Sequence, residues 1–157
     1  MLSTELAALY ARDLKRLVQE LSAFPDDASL WQTAPGVTNS AGTLALHLEG
    51  NLREYIGRQL GGAEYTRDRA LEFSKRGVAK KDLVARTKAV RELVARVLVP
   101  LSEQQLAAIY PEQVLGVPIT TRQFLIHLNG HLNYHLGQID YLRRMTTGIG
   151  AIKLAGL

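Results

Sequence analysis

The feature that most constrains this chain is the return of apolar residues at helical spacing in four separate segments. No segment of comparable length alternates apolar and polar residues as a half-buried strand does. The first segment is marked by Leu6, Tyr10, Leu14, Leu17 and Leu21. The second carries Leu44, Leu48, Leu52, Ile56 and Leu60, and the third Leu83, Thr87, Val90, Val94, Val97 and Leu101. The fourth carries Leu125, Leu128, Leu132 and Ile139. An amphipathic helix must bury its stripe against another element. Four such helices, with medium connections between them, predict an all-α four-helix bundle with one or two crossover loops.

Local signals set the expected boundaries. A first helix over 3–22 takes Ser3 as its N-cap and closes at Phe24-Pro25, because proline lacks a donor and turns its predecessor away from helix. A second runs from Asn39 or Ser40 to about Leu60, ended by Gly61-Gly62. A third covers about 80–99 and stops at Pro100; a fourth covers 121–146 with Thr120 as its cap. Trp31, the only tryptophan, is expected over one end of the core. Residues 63–79 read as irregular, with one helical turn around Arg69–Phe73, and Ser102 opens a short capped turn. The tail is glycine-punctuated and apolar, suited to dock on the body or on a partner chain. At 157 residues a single domain, 1–157, is expected.

Composition removes several function classes. A hydrophobic share of 46% and a charged share of 22% are those of a soluble globular protein. No apolar run approaches the roughly 20 residues that span a bilayer. The first residues carry Glu5 and Asp13 and no basic region followed by an apolar block, so no signal peptide is read there. No cysteine is present, which excludes disulfides, thiolate metal sites and a cysteine nucleophile. A cytoplasmic location is the expectation. The net charge of +4 is uneven: between Arg67 and Arg96 ten basic residues face four acidic ones. Such a stretch suits an anionic small molecule. Nucleic acid is not expected, since no aromatics interleave with the basic residues as a stacking platform.

Three of the four histidines lie in the fourth segment at positions 127, 131 and 135. Residues four apart on a helix are about 40° apart and about 6 Å along the axis, so two imidazoles so placed reach one metal ion. The column flanks the leucine stripe, where each buried ring nitrogen needs a partner. Spacing admits either the 127/131 or the 131/135 pair as ligands, and equally admits histidines that are packed polar core residues. The fourth histidine, His47, flanks the stripe of the second segment with Asn51 and Tyr55, the placement a ligand shared between two helices requires.

Three stretches then resemble the DinB-like superfamily: Leu46-His47-Leu48, the run Leu60-Gly-Gly through Arg67-Asp68-Arg69 to Glu72-Phe73, and above all His131-Leu-Asn-Tyr-His135-Leu-Gly-Gln138-Ile139, which looks like the family's HxxxHxGQI signature. The resemblance covers nearly the whole chain. It implies an up-down-down-up four-helix bundle, commonly a homodimer, with one divalent metal ion held by three histidines. Carried over by position, the ligands are His47, His131 and His135, with His127 left as a supporting or packing residue. Leu136 departs from the signature, where relatives often carry arginine. Some members are thiol-dependent transferases or isomerases, so a small-molecule thiol cosubstrate is among the expected partners.

Three histidines without a fourth protein ligand describe an open site of catalytic type. Imidazoles suit Zn²⁺ or Ni²⁺ first, with Fe, Co or Mn also compatible. Asn51 and Gln138 are placed to orient a ligand or a water. The sequence designates no catalytic residue; Glu54, Asp140 and Tyr134 would qualify as a base only through geometry. Two function classes follow: a metal-dependent transferase, isomerase or hydrolase, and a non-catalytic metal-binding protein acting in stress or through a partner. A deep pocket opening at the metal separates the first from the second.

Overall fold

The structure, a computed structural model, describes residues 1–156. Helix α1 (Leu2–Ser22) is followed by a 3₁₀ turn at Ser29–Trp31, α2 (Ala41–Leu52), α3 (Arg69–Ser74), α4 (Lys80–Leu98), α5 (Glu103–Ala107) and α6 (Thr121–Thr147). Among the described residues there is no strand, and the one isolated bridge joins Ile109 to Thr120.

Side-chain pairs along the long helices fix their directions. Tyr10 of α1 donates to Leu125 O and Arg143 donates to Glu20, so α1 and α6 run the same way. His47 meets His131 while Tyr55 meets Phe124, so α2 runs against α6. Glu49 pairs with Arg86, and a Cβ on Gly57 or Gly61 would meet Leu93 or Val97, so α2 and α4 are parallel. Lys80 Nζ donates to Phe24 O, which sets α4 against α1. The bundle is up-down-down-up, and each long helix packs on two others. The stripes named above meet in one core: Tyr10, Leu21, Ile56, Val94, Leu125, Leu132 and Ile139 are almost wholly buried.

α2 is the central element, and all twelve of its residues are buried. Ser40 caps it through Thr43 N, as one of the two expected caps. Beyond Leu52 the expected α-helix gives way to a π-helical stretch, Arg53–Arg58, in which Gln59 N bonds Glu54 O and Gly61 N bonds Ile56 O. Gly57 and Gly61 lie in and just past this stretch, where α4 comes so near that a methyl group would strike Leu93 or Val97.

Other ends follow the expected chemistry, with one exception. Thr120 and Ser102 both form full capping boxes. Ser3 is not a cap; it is buried inside α1, whose N-cap is Met1 with no side-chain bond. The helix starts two residues further upstream because Glu5 and Thr4 bond Met1 O through their backbone N–H groups. Trp31 covers the start of α2, with its ring against Gly42 and its Nε1 donating to Val78 O. The tail docks on the body, where Arg16 holds Ala155 O and Arg143 holds Ile149 O and Gly150 O. Among the described residues, no helix is long and apolar enough to cross a membrane.

Candidate metal centre

His47 reaches into the bundle from α2, and His131 and His135 from α6. Their Nε2 atoms converge: His47 to His131 is 3.2 Å and His131 to His135 is 3.1 Å. Three nitrogens bound at about 2.05 Å to one tetrahedral cation stand about 3.3 Å apart, so the spacing already matches a shared ion. The three rings offer one ligand atom each within 4.8 Å of one another and could hold a metal ion.

The outer ring nitrogens explain why the inner ones face each other. Nδ1 of His47 donates to Glu72 Oε2 at 2.9 Å, and Nδ1 of His135 donates to Gln138 Oε1 at 2.6 Å. A proton on Nδ1 leaves the Nε2 of each of these two rings to turn a lone pair inward. Burial pushes the His131 imidazolium down to about 4, helped by the nearby His135, His47 and His127 and by Arg67. Burial also lowers His135, against the hydrogen bond to Gln138. Both rings are therefore neutral, and able to ligate, at pH 7.

Glu72 is the residue that the sequence reading missed as part of the site. It sits on α3, a six-residue helix capped by Asp68, which accepts from Leu71 N at 2.8 Å. Arg67 forks onto its carboxylate at 2.7 and 2.9 Å. Burial alone would lift the Glu72 carboxyl, but hydrogen bonds from His47 and Arg67 outweigh it and hold the group below its usual range. Its path to His47 exists because Gly50 has no side chain: a Cβ there would overlap the carboxylate oxygen. Phe73, next on α3, lays its ring 4.8 Å from the His47 ring, so this short helix fixes both the proton and the plane of His47. The usable sequence signal was Gly50, one turn past His47 in an otherwise continuous helix, together with the acid of Arg67-Asp68-Arg69…Glu72.

The remaining expected residues divide. Gln138 accepts from His135 Nδ1 and so fixes the plane of that ring. Asn51 is buried beside the centre but bonds none of its histidines, and its Oδ1 has no hydrogen-bond partner. His127 is exposed and stacks on Phe124 at 6.0 Å, apart from the triad. Among the residues considered as a base, Glu54 is held by Arg58 and Gln59 and Asp140 pairs with Arg143 and Arg144. Tyr134 alone borders the centre, its ring 5.2 Å from that of His135.

Two cavities open at the triad. One, of about 500 Å³, reaches His135 and Gln138 and is walled by Val37, Leu44, Tyr134 and Tyr141. The other, of about 210 Å³, reaches His47 and His131 and is bordered by Asn51, Arg67, Arg69 and Phe124.

Solved structures repeat this fold. A DinB-like protein from Bacillus cereus superposes with a TM-score of 0.71 at 19% identity, over 97% of this chain and 95% of its own. A conserved protein from Enterococcus faecalis gives 0.73 at 19% identity, over 94% and 98%. A DinB-like protein from Bacillus subtilis gives 0.68 at 19% identity, over 97% and 96%. At that identity the likeness speaks for the fold alone. No curated protein matches the chain. The family model for the DinB superfamily matches residues 9–139, which include all three histidines and Glu72, and the chain belongs to that superfamily.

Proposed function

We propose that this chain is a metal-dependent enzyme with His47, His131 and His135 as the protein ligands of one divalent transition metal ion. The supporting observation is the inward convergence of three Nε2 atoms, two of them on rings fixed from behind by Glu72 and Gln138. A divalent cation held there would supply Lewis-acid activation of a thiol or a water. Three protein ligands leave room for that group, unlike the closed four-ligand pattern of structural zinc.

The protein's own groups arrange the rest. Glu72 and Gln138 hold the imidazoles in one tautomer. The larger cavity offers an apolar wall for a substrate body beside His135, and Tyr134 lines it with its ring 5.2 Å from that of His135. Two cavities meeting at the histidines favour the enzyme over the sealed, non-catalytic binder. Within this reading a transferase or isomerase that brings two molecules together at one metal fits better than a hydrolase, and the chain's lack of cysteine requires any thiol to be a cosubstrate.

The test is metal content by plasma mass spectrometry on untagged protein, followed by Zn²⁺ and Ni²⁺ titration. Wild type should hold about one metal per chain, His131→Ala none, and His127→Ala the wild-type amount. A wild-type chain that neither carries nor takes up metal, or a His127→Ala variant as empty as His135→Ala, would remove the reading.

A further inference from the structure

The smaller cavity contains polar atoms that the histidine centre does not use. Asn51 is only 7% exposed, and its Oδ1 has no hydrogen-bond partner among the described residues. The Nδ1 of His131, whose Nε2 faces the triad, is buried without a partner too. Both side chains line the same cavity. Buried polar groups in native proteins are nearly always paired, so two unpaired groups in one concavity mark the place of something that pairs with them.

The charge at the rim says what that something carries. Arg67 gives its fork to Glu72, and its charge is matched. Arg69 lies 5.1 Å over the Phe73 ring, exposed, and among the described residues no carboxylate comes within ion-pair distance of it. One unmatched guanidinium beside two neutral hydrogen-bonding groups suits a monoanion, and its planar fork matches a carboxylate. Inside, a single group that meets both orphans is the simplest occupant of so small a cavity. A hydroxyl does so, because it donates and accepts, and it meets Asn51 in either orientation of the amide. Val114, Phe124 and Leu128 give the wall an apolar part, beside the polar edges of Tyr55 and His127. A volume of about 210 Å³ holds on the order of seven waters at ~30 Å³ each, hence a molecule of roughly that many heavy atoms.

We propose that this cavity is a binding subsite for a small hydroxycarboxylate, with the carboxylate on Arg69 and the hydroxyl between Asn51 and the Nδ1–H of His131. The donor role given to His131 rests on the metal reading above, since Nε2 ligation leaves the proton on Nδ1. The ligand is thereby placed against the triad, on the side opposite the larger cavity.

The experiment is a nuclear magnetic resonance titration of the full chain, zinc-loaded and metal-free, with lactate, propionate and propane-1,2-diol. Lactate should bind roughly tenfold tighter than either analogue. Arg69→Gln should erase its advantage over the diol, and Asn51→Ala its advantage over propionate, with zinc stoichiometry unchanged in both. Asn51→Ser stands in should the alanine variant not fold. Equal binding of the three probes to wild type, or wild-type lactate binding by both variants, overturns the subsite. Failure of the metal reading shows separately, as wild type that takes up no zinc. The metal-free titration then still decides the subsite through Arg69 and Asn51.

Discussion

Gly50→Ala separates support of the metal centre from support of the fold. The new methyl carbon would lie 2.6 Å from Cδ and 3.2 Å from Cγ of Glu72, and closer still to its Oε1. The carboxylate is the free end of a side chain, so it yields first and leaves His47 Nδ1. Crowding of this kind costs about 1–3 kcal/mol, while alanine in place of glycine inside a helix returns about 1 kcal/mol. The fold should therefore lose only about 0–2 kcal/mol. The centre loses more: removal of a carboxylate behind a ligating histidine lowers metal affinity roughly 10–100-fold, which is about 1.4–2.7 kcal/mol. Chemical melts in chelator report the first quantity, and zinc competition against a chromophoric chelator at pH 7 the second. Gly130→Ala is the matched control, because a Cβ there meets nothing within 4 Å. It should gain stability slightly and bind zinc as wild type does. A folded Gly50→Ala with wild-type zinc affinity would refute the argument that Glu72 orients His47. Should that variant not fold, Glu72→Gln carries the same test.

Other consequences are open to measurement. Arg143→Ala strands the buried Glu20 carboxylate and frees the tail from Ile149 and Gly150; urea unfolding should show a loss of about 3–5 kcal/mol, and the pair replacement Glu20→Leu with Arg143→Met should lose clearly less. Burial would raise Asp13, but Arg12, Asn133 and Asn129 outweigh it and hold it below the usual range. Its stabilising contribution is present above the unfolded carboxylate value of about 3.9 and disappears as pH falls through the lowered folded value. The melting-temperature gap between wild type and Asp13→Asn should accordingly be steady near neutrality and close in acid; a gap that widened below pH 4 would contradict this. Leu132→Ala empties a fully buried position next to His131 on α6 and should cost about 2–5 kcal/mol in urea unfolding.

The cluster of three histidines was largely legible because its members obey short-range rules. His131 and His135 sit one turn apart on one helix face, and His47 flanks the stripe of the helix that packs on them. Spacing alone could not choose between His127 and His135, because both stand four residues from His131. The structure separates them by a rotation of the α6 face that turns His127 to solvent beside Phe124. Glu72 had no periodic signature: it comes from one and a half turns of helix after an irregular segment, and tertiary packing sets its aim. The π-helical stretch was equally hidden, since Arg53–Arg58 carries the same apolar pattern as an α-helix and differs only in which carbonyl each N–H finds. Ser3 failed as a cap because an N-cap rule reads the first suitable residue, while the backbone had two more residues to give.

The two cavities differ from the triad in where their walls come from. The histidines ride on the packed interface of α2 and α6, whereas Val37 on one side and Arg67, Arg69 and Val114 on the other belong to connecting segments or the start of the six-residue α3. Such segments tolerate exchange and insertion far better than helix interfaces do. Descendants of one ancestral chain can therefore rewrite what enters from either side without disturbing the helix interface, so kinship within the superfamily is poor guidance to the molecules that visit these cavities.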